Sequence, residues 1–254
     1  MKQNPIVRLS EALQNKLPAV LVTVIEIKGA SPAKPGAQIV LLKDGTTIGT
    51  VGGGKLEAAI IADAQTALVD GQSRLTYYTL TEAGEDAVGT LCGGEVRAFI
   101  QPCLPPPQLV IVGGGHIGRS LKVMGEAAGF EVIVVDVEPG RADVPALAEV
   151  ALNEDSYVVL ITTDHISDEA ALRQVIRSPV RYIGMIGSRA KCRAILEHLK
   201  KDGYTNEQLA RVYAPIGLDL GGPSPEEIAV AILAEVIAVR RGRSGAIRSR
   251  QRRR

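Results

Sequence analysis

Three glycines at G-x-G-x-x-G spacing, Gly113, Gly115 and Gly118, follow a short apolar run at residues 109–112 and open a helical stretch. A second apolar run then ends in Asp136. Strand, phosphate turn, helix and strand stand here in the order a dinucleotide site requires. Gly113 permits the tight turn, Gly115 leaves room for backbone to approach a pyrophosphate, and Gly118 lets the helix pack closely on the strand. A helix opening near Gly115 points free N–H groups at the phosphates, and Asp136 can accept a hydrogen bond from a ribose hydroxyl. No Arg or Lys follows Asp136 immediately, so a 2′-phosphate is not expected. Glycine-rich turns also serve packing alone, and a nucleotide-binding fold does not name a reaction.

The elements that must hold this turn form the second of two halves. After the fingerprint, residues 157–176 read as an apolar strand meeting Asp164 and His165 before a helix with Ser167 as its cap, and residues 181–199 repeat strand, Gly/Ser turn and helix. Ligands of open parallel sheets lie beyond the carboxyl ends of the strands, so Thr163, His165, Gly187, Ser188 and Arg189 are expected to converge with Gly115. The last helix starts at Ser224-Pro225-Glu226-Glu227, with an N-cap, a proline at the first position and a glutamate at the third. The fold expected is α/β: a Rossmann-like parallel-sheet domain at 108–240, preceded by a smaller α+β domain.

That first domain is expected at residues 1–101. It opens with an amphipathic helix at 5–15 and a β-branched strand at 19–27. A strand at 38–42 turns at Asp44-Gly45 into a hairpin. A helix follows Gly54 and stops at Gly71, and strands are expected at 73–80 and 91–102 around a polar loop at 82–89. PCLPPP, residues 102–107, reads as the linker, because successive prolines cannot join a helix or a sheet interior.

Composition bounds the rest. The 254 residues are 46% apolar, ample for two cores. No stretch has the apolar length of a membrane span, and the start lacks a signal-peptide layout, so a cytoplasmic location with no membrane partner is expected. Net charge is +1, yet residues 240–254 hold eight arginines and no acid, which leaves the rest of the chain at −7. That tail, taken as flexible from 241, reads as a solvated terminus or an acidic-partner contact; no aromatic residues interleave it, so nucleic acid is not expected. Three cysteines without a C-x-x-C pair, and three histidines, argue against a disulfide framework and a protein-only metal site.

The segments SPAKPGA, IGTVGGGKLE, LCGGEV, VGGGHIG, TTDHISDEAAL, YIGMIGSRAK and PIGLDLGGPSPEEIAVAILAE, in that order, resemble the XdhC/CoxI family of accessory proteins for molybdenum hydroxylases. The resemblance runs from about residue 15 to 240. It implies a chaperone rather than a turnover enzyme. Such a chaperone binds the molybdenum cofactor, as molybdopterin or its cytosine dinucleotide, assists its sulfuration with a cysteine desulfurase, and delivers it to an apo molybdenum hydroxylase such as xanthine dehydrogenase. It further implies a homodimer, with a molybdopterin cytidylyltransferase as a further partner.

Under that resemblance the glycine turn and Asp136 would hold the pyrophosphate and ribose. Gly52, Gly53 and Gly54 would form a second anion or pterin site, with Lys55 adding charge, or else a hairpin exit that needs positive φ. Two half-sites facing each other across the linker would suit a long, two-ended ligand. Cys92, before Gly93-Gly94, would contact molybdenum or carry sulfur, where a free cysteine is otherwise a small buried hydrophobe. His116 and His165 would donate to phosphate or stand as solvated turn residues, and Glu57 would bond a pterin edge or favour its helix dipole.

Two positions depart from the family pattern. Ala33 followed by Lys34 stands where the family often has Arg after Ser-Pro, and Glu138 where it tends to place Arg beyond the acid; the nearest Arg is Arg141. The rival functions are an oxidoreductase using NAD(P) or FAD in its own right, and a nucleotide sensor without turnover. The first domain offers no histidine or Cys/His pair as acid or base for the former.

Overall fold

The computed structural model describes residues 4–81, 87–89, 93–222 and 224–246. The chain divides into two compact units, Met1–Pro105 and Pro106–Arg254.

The first unit is a five-stranded antiparallel sheet. Its strands are β1 (Ala19–Lys28), β2 (Gln38–Leu42), β3 (Thr47–Gly49), β4 (Arg74–Thr79) and β5 (Glu95–Cys103), in the order β3-β2-β1-β5-β4. Two helices, α1 (Pro5–Gln14) and α2 (Gly54–Asp70), pack on it. Alternation along β1 sends Val20, Val22 and Val24 into one core with Leu56, Ile60, Ala64 and Ala67, which form a single stripe of α2. Ala19 of β1 packs with Val40 and Ala12 of α1 in a second, smaller cluster. At the β2–β3 hairpin, Asp44 Oδ1 accepts the Thr46 N–H at 2.8 Å and Gly45 has φ 85°. Gly71, at φ 68°, ends α2 in the left-handed conformation.

The strand expected to end at Pro102 runs one residue further, into the segment read as the linker. Pro102 pairs with Val20 and Cys103 with Ala19 inside β5. The ladder between β5 and β4 stops at Ile100, opposite Arg74, so Pro102 has one strand neighbour, and a missing N–H is tolerated at such an edge.

The second unit is a parallel sheet of β6 (Gln108–Val112), β7 (Glu131–Val135), β8 (Ser156–Leu160), β9 (Tyr182–Met185) and β10 (Val212–Tyr213), in the order β10-β9-β8-β6-β7. Its helices are α3 (His116–Ala127), α4 (His165–Val175), α5 (Arg189–Lys201), α6 (Asn206–Ala210) and α7 (Pro225–Arg240). Val110, Val112, Val158 and Leu160 face α4 and α5, while Leu109, Ile111, Tyr157 and Val159 face α3 and α7. Burial on both faces is why these strands read as unbroken apolar runs. The chain leaves β6 toward β7 on one side and returns to β8 on the other, so the order reverses between β6 and β8 and opens a crevice at their carboxyl ends. The fold is the expected α/β arrangement, with a Rossmann domain after a smaller α+β unit.

Helix α7 starts as its sequence indicates, with a reciprocal capping box between Ser224 and Glu227. Helix α4 does not: its cap is Asp164, whose carboxylate accepts the N–H groups of Ile166 and Ser167. The predicted cap, Ser167, instead donates its hydroxyl to Asp164 at 2.8 Å. Among the described residues no helix is long and apolar enough to cross a membrane.

Candidate functional site

The glycine turn divides into residues that serve packing and one that does not. A β-carbon on Gly113, at φ 119°, would lie 2.3 Å from the Ile161 carbonyl oxygen; on Gly114 it would lie 2.2 Å from that of Arg141, and on Gly118 2.1 Å from that of Gly113. At Gly115 a β-carbon would meet no atom within 4 Å, and φ is an ordinary −67°. Its missing side chain leaves open space, and it is the N-cap of α3, which starts without a side-chain hydrogen bond. By contrast α4, α5 and α7 are capped by Asp164, Ser188 and Ser224. The uncapped first turn of α3 therefore presents N–H groups to whatever fills the space at Gly115.

That space belongs to a crevice of about 380 Å³ lined by Gly113, Gly115, Asp136, Glu138, Arg141, Leu147, Thr162, Thr163, Ala171 and Gln174 among others. Asp136, just past β7, accepts the Gly114 N–H on Oδ2 at 2.7 Å and the Glu138 N–H on Oδ1 at 2.9 Å. Each carboxylate oxygen keeps acceptor capacity for a ribose hydroxyl. Glu138, the departure from the family pattern, pairs with Arg141 at 2.8 Å at the crevice edge.

The other candidates of this unit are distributed more widely than expected. Thr163 lines the crevice. His116 is the exposed first residue of α3. His165, exposed at the first position of α4, lines a different cavity of about 540 Å³ with Lys191 and His198. Ser188 is spent on capping α5, accepting the Lys191 N–H at 3.2 Å, and a β-carbon on Gly187 would lie 2.9 Å from Lys191 Cδ. Arg189 lines a third hollow, beside α5.

In the first unit Gly52, Gly53 and Gly54 all have positive φ, at 119°, 74° and 61°, a backbone requirement that holds with or without a ligand. A β-carbon on Gly52 would also approach the Ala33 nitrogen to 2.9 Å. Glu57 folds back onto this turn, its Oε2 accepting the Thr50 hydroxyl at 2.6 Å and the N–H groups of Val51 at 3.0 Å and Gly53 at 3.2 Å. Burial pushes its carboxyl up, but the three hydrogen bonds outweigh that and hold it below the usual carboxylate range. Lys55 donates to the Gly89 carbonyl at 2.7 Å. Cys92 lies outside the described residues. Burial pushes the thiols of Cys103 and Cys192 up, away from the reactive thiolate.

The sequence reading passed over one constellation. Asp168 of α4 is fully buried and accepts the Thr162 N–H at 3.0 Å, the Thr162 hydroxyl at 2.7 Å and the Lys191 ammonium at 2.7 Å. It ties the end of β8 at the crevice to α4 and α5. Both residues lie in quoted motifs, and their signal was an acid four residues after the cap Asp164 and a lysine four after Gly187. Among the described residues no cluster of three or more His, Cys, Asp or Glu is placed to hold a metal.

A Rossmann sheet with a glycine turn and an acid past the second strand is the framework of this unit, and the comparisons name its family. Residues 109–236 match the XdhC Rossmann domain and residues 12–79 the XdhC and CoxI family, and the chain belongs to that family. It is 30% identical to Uncharacterized protein YqeB of Escherichia coli over 92% of this chain and 46% of that one. It is 25% identical to Molybdenum cofactor insertion chaperone PaoD of Escherichia coli over 91% of this chain and 86% of that one. To a probable xanthine dehydrogenase subunit of Bacillus subtilis it is 29% identical over 56% of this chain and 46% of that one. The chain thus spans about half the length of the first and third.

Proposed function

We propose that this protein is an accessory factor that binds the molybdenum cofactor as cargo and passes it to an apo molybdenum hydroxylase of the xanthine dehydrogenase type. The observation that carries the reading is the open cradle at Gly115, with an uncapped helix start on one side and the Asp136 carboxylate on the other. A pyrophosphate and a ribose are the groups such a cradle suits, and the cytosine dinucleotide form of molybdopterin has both. The likeness to an insertion chaperone over most of both chains supports the same reading.

Within it, Gly113, Gly115, Gly118 and Asp136 hold the nucleotide end, and Gly52, Gly53, Gly54, Lys55 and Glu57 contribute to a second site. His116, at the start of α3, supplies a donor beside the glycine turn, whereas His165, Gly187, Ser188 and Arg189 stand away from that crevice and are left out of the cofactor site. Cys92 contacts molybdenum or accepts sulfur, with a cysteine desulfurase as donor and a cytidylyltransferase upstream. The protein acts as a homodimer in the cytoplasm.

The test is molybdopterin and molybdenum bound per protomer after anaerobic incubation with cofactor, for wild type, Cys92→Ala and Gly115→Val. Near-stoichiometric binding that either variant loses supports the chaperone. NAD or FAD bound in its place, with or without steady-state reduction, overturns it in favour of the oxidoreductase or the sensor.

A further inference from the structure

The hollow beside α5 is a groove of about 500 Å³, and none of its lining residues lines the glycine-turn crevice. Its floor is apolar, built from Leu196 of α5, Leu209 of α6 and the Ala214-Pro215 segment after β10. Its rim is cationic. Arg189, Arg193 and Lys200 are exposed along α5, four and seven residues apart, a spacing that keeps them on one side of the helix. Glu197 is the one acid in the lining, and none of the three cations makes an ion pair among the described residues.

Several other cations of this unit are spent on acids. Arg173 bonds Glu169 and Asp202, Lys122 bonds Asp143, Arg141 bonds Glu138 and Lys191 bonds Asp168. Three unspent cations around an apolar floor, on a body that is acidic outside its tail, are complementary to one chemistry. A lone phosphate would leave the floor wet, and a neutral or basic segment would leave the rim unanswered. The chain's own tail, with eight arginines and no acid in residues 240–254, is repelled.

We propose that this groove docks an acidic amphipathic segment of a partner protein, with apolar side chains on Leu196 and Leu209 and carboxylates on Arg189, Arg193 and Lys200. The inference goes beyond the cofactor reading and does not depend on it.

The probe is a fluorescein-labelled helical peptide with leucines at i, i+3, i+4 and i+7, glutamates elsewhere and a photo-crosslinker, set beside a glutamine-for-glutamate analogue. Binding to the full chain is followed by anisotropy, and crosslinks are mapped by mass spectrometry. The expected result is crosslinks on α5 and α6, affinity about tenfold weaker in Arg193→Glu/Lys200→Glu and in Leu209→Ser, and weak binding of the analogue. Arg193 and Lys200 are exposed, so their variant keeps the wild-type thermal midpoint, while Leu209 also packs on the core of this unit and Leu209→Ser melts somewhat lower but stays folded. Crosslinks confined to the arginine tail, equal binding by the variants, or displacement of the peptide by inorganic phosphate alone would overturn the proposal.

Discussion

The carboxylate of Asp136 accepts the backbone N–H of Gly114 at 2.7 Å, so the acid past β7 is built into the glycine turn as well as facing the crevice. Gly114 is buried, and removing its acceptor leaves a desolvated donor. Asp136→Ala is therefore expected to lose about 2 kcal/mol of stability along with nucleotide affinity. Asp136→Asn keeps one oxygen as acceptor and should fall between. Urea denaturation, with binding of a cytidine nucleotide measured separately, resolves the two effects. Unchanged stability in Asp136→Ala would show that the turn stands without its acid.

Gly115 and Gly118 belong to one motif but answer to different forces. A side chain at Gly118 collides with the Gly113 carbonyl, whereas one at Gly115 enters open space. Gly115→Val should fold with a thermal midpoint near wild type and lose nucleotide binding. Gly118→Val should lose about 3 kcal/mol or more, because backbone must move to admit the side chain. A Gly115→Val protein that melts early would mean that the open space serves folding.

The β6–α3–β7 unit was legible because its pattern is local in sequence: a strand, a turn with glycines at fixed spacing and a helix. The hairpin at Asp44-Gly45 and the capping box at Ser224 were legible for the same reason. Gly114, between the named glycines, escaped because its constraint is the Arg141 carbonyl, which arrives only in the folded unit. Cys103 was placed in the linker because the prolines around it marked a boundary, whereas its pairing with Ala19 joins residues far apart in sequence. The expected convergence at Gly115 assumed that all strand ends share one crevice. Adjacent strands lie about 4.8 Å apart, and Gly187 to Arg189 follow β9, one strand beyond the reversal between β6 and β8.

The Asp168–Lys191 pair joins two helices across 23 residues, and its two halves are unequally buried. Asp168 is fully buried, while the Lys191 side chain is 28% exposed. Lys191→Met strands a buried carboxylate and should cost about 3 kcal/mol or more. Asp168→Asn still accepts from Thr162 and lets the lysine turn to water, so it should cost about 1–2 kcal/mol. Chemical denaturation of both variants and of the double variant measures the asymmetry; equal losses would mean the pair is no more than a packing contact.

Glu57 makes the turn of the first unit acid-sensitive. Its folded-state carboxyl titrates below the ordinary range because Thr50, Val51 and Gly53 donate to the charged form, outweighing the burial that opposes it. A carboxyl depressed by folding stabilises fully above its unfolded value of about 4.3, and that contribution fades as pH falls through the folded value. The side chain is part-exposed, so solvent screening limits the effect to about 1 kcal/mol or less. Glu57→Gln should lower stability at pH 7 and narrow the gap to wild type near pH 3. Urea denaturation of both proteins between pH 3 and pH 7 tests this, and a gap that stays constant with pH would assign the effect to the shape of the side chain rather than its charge.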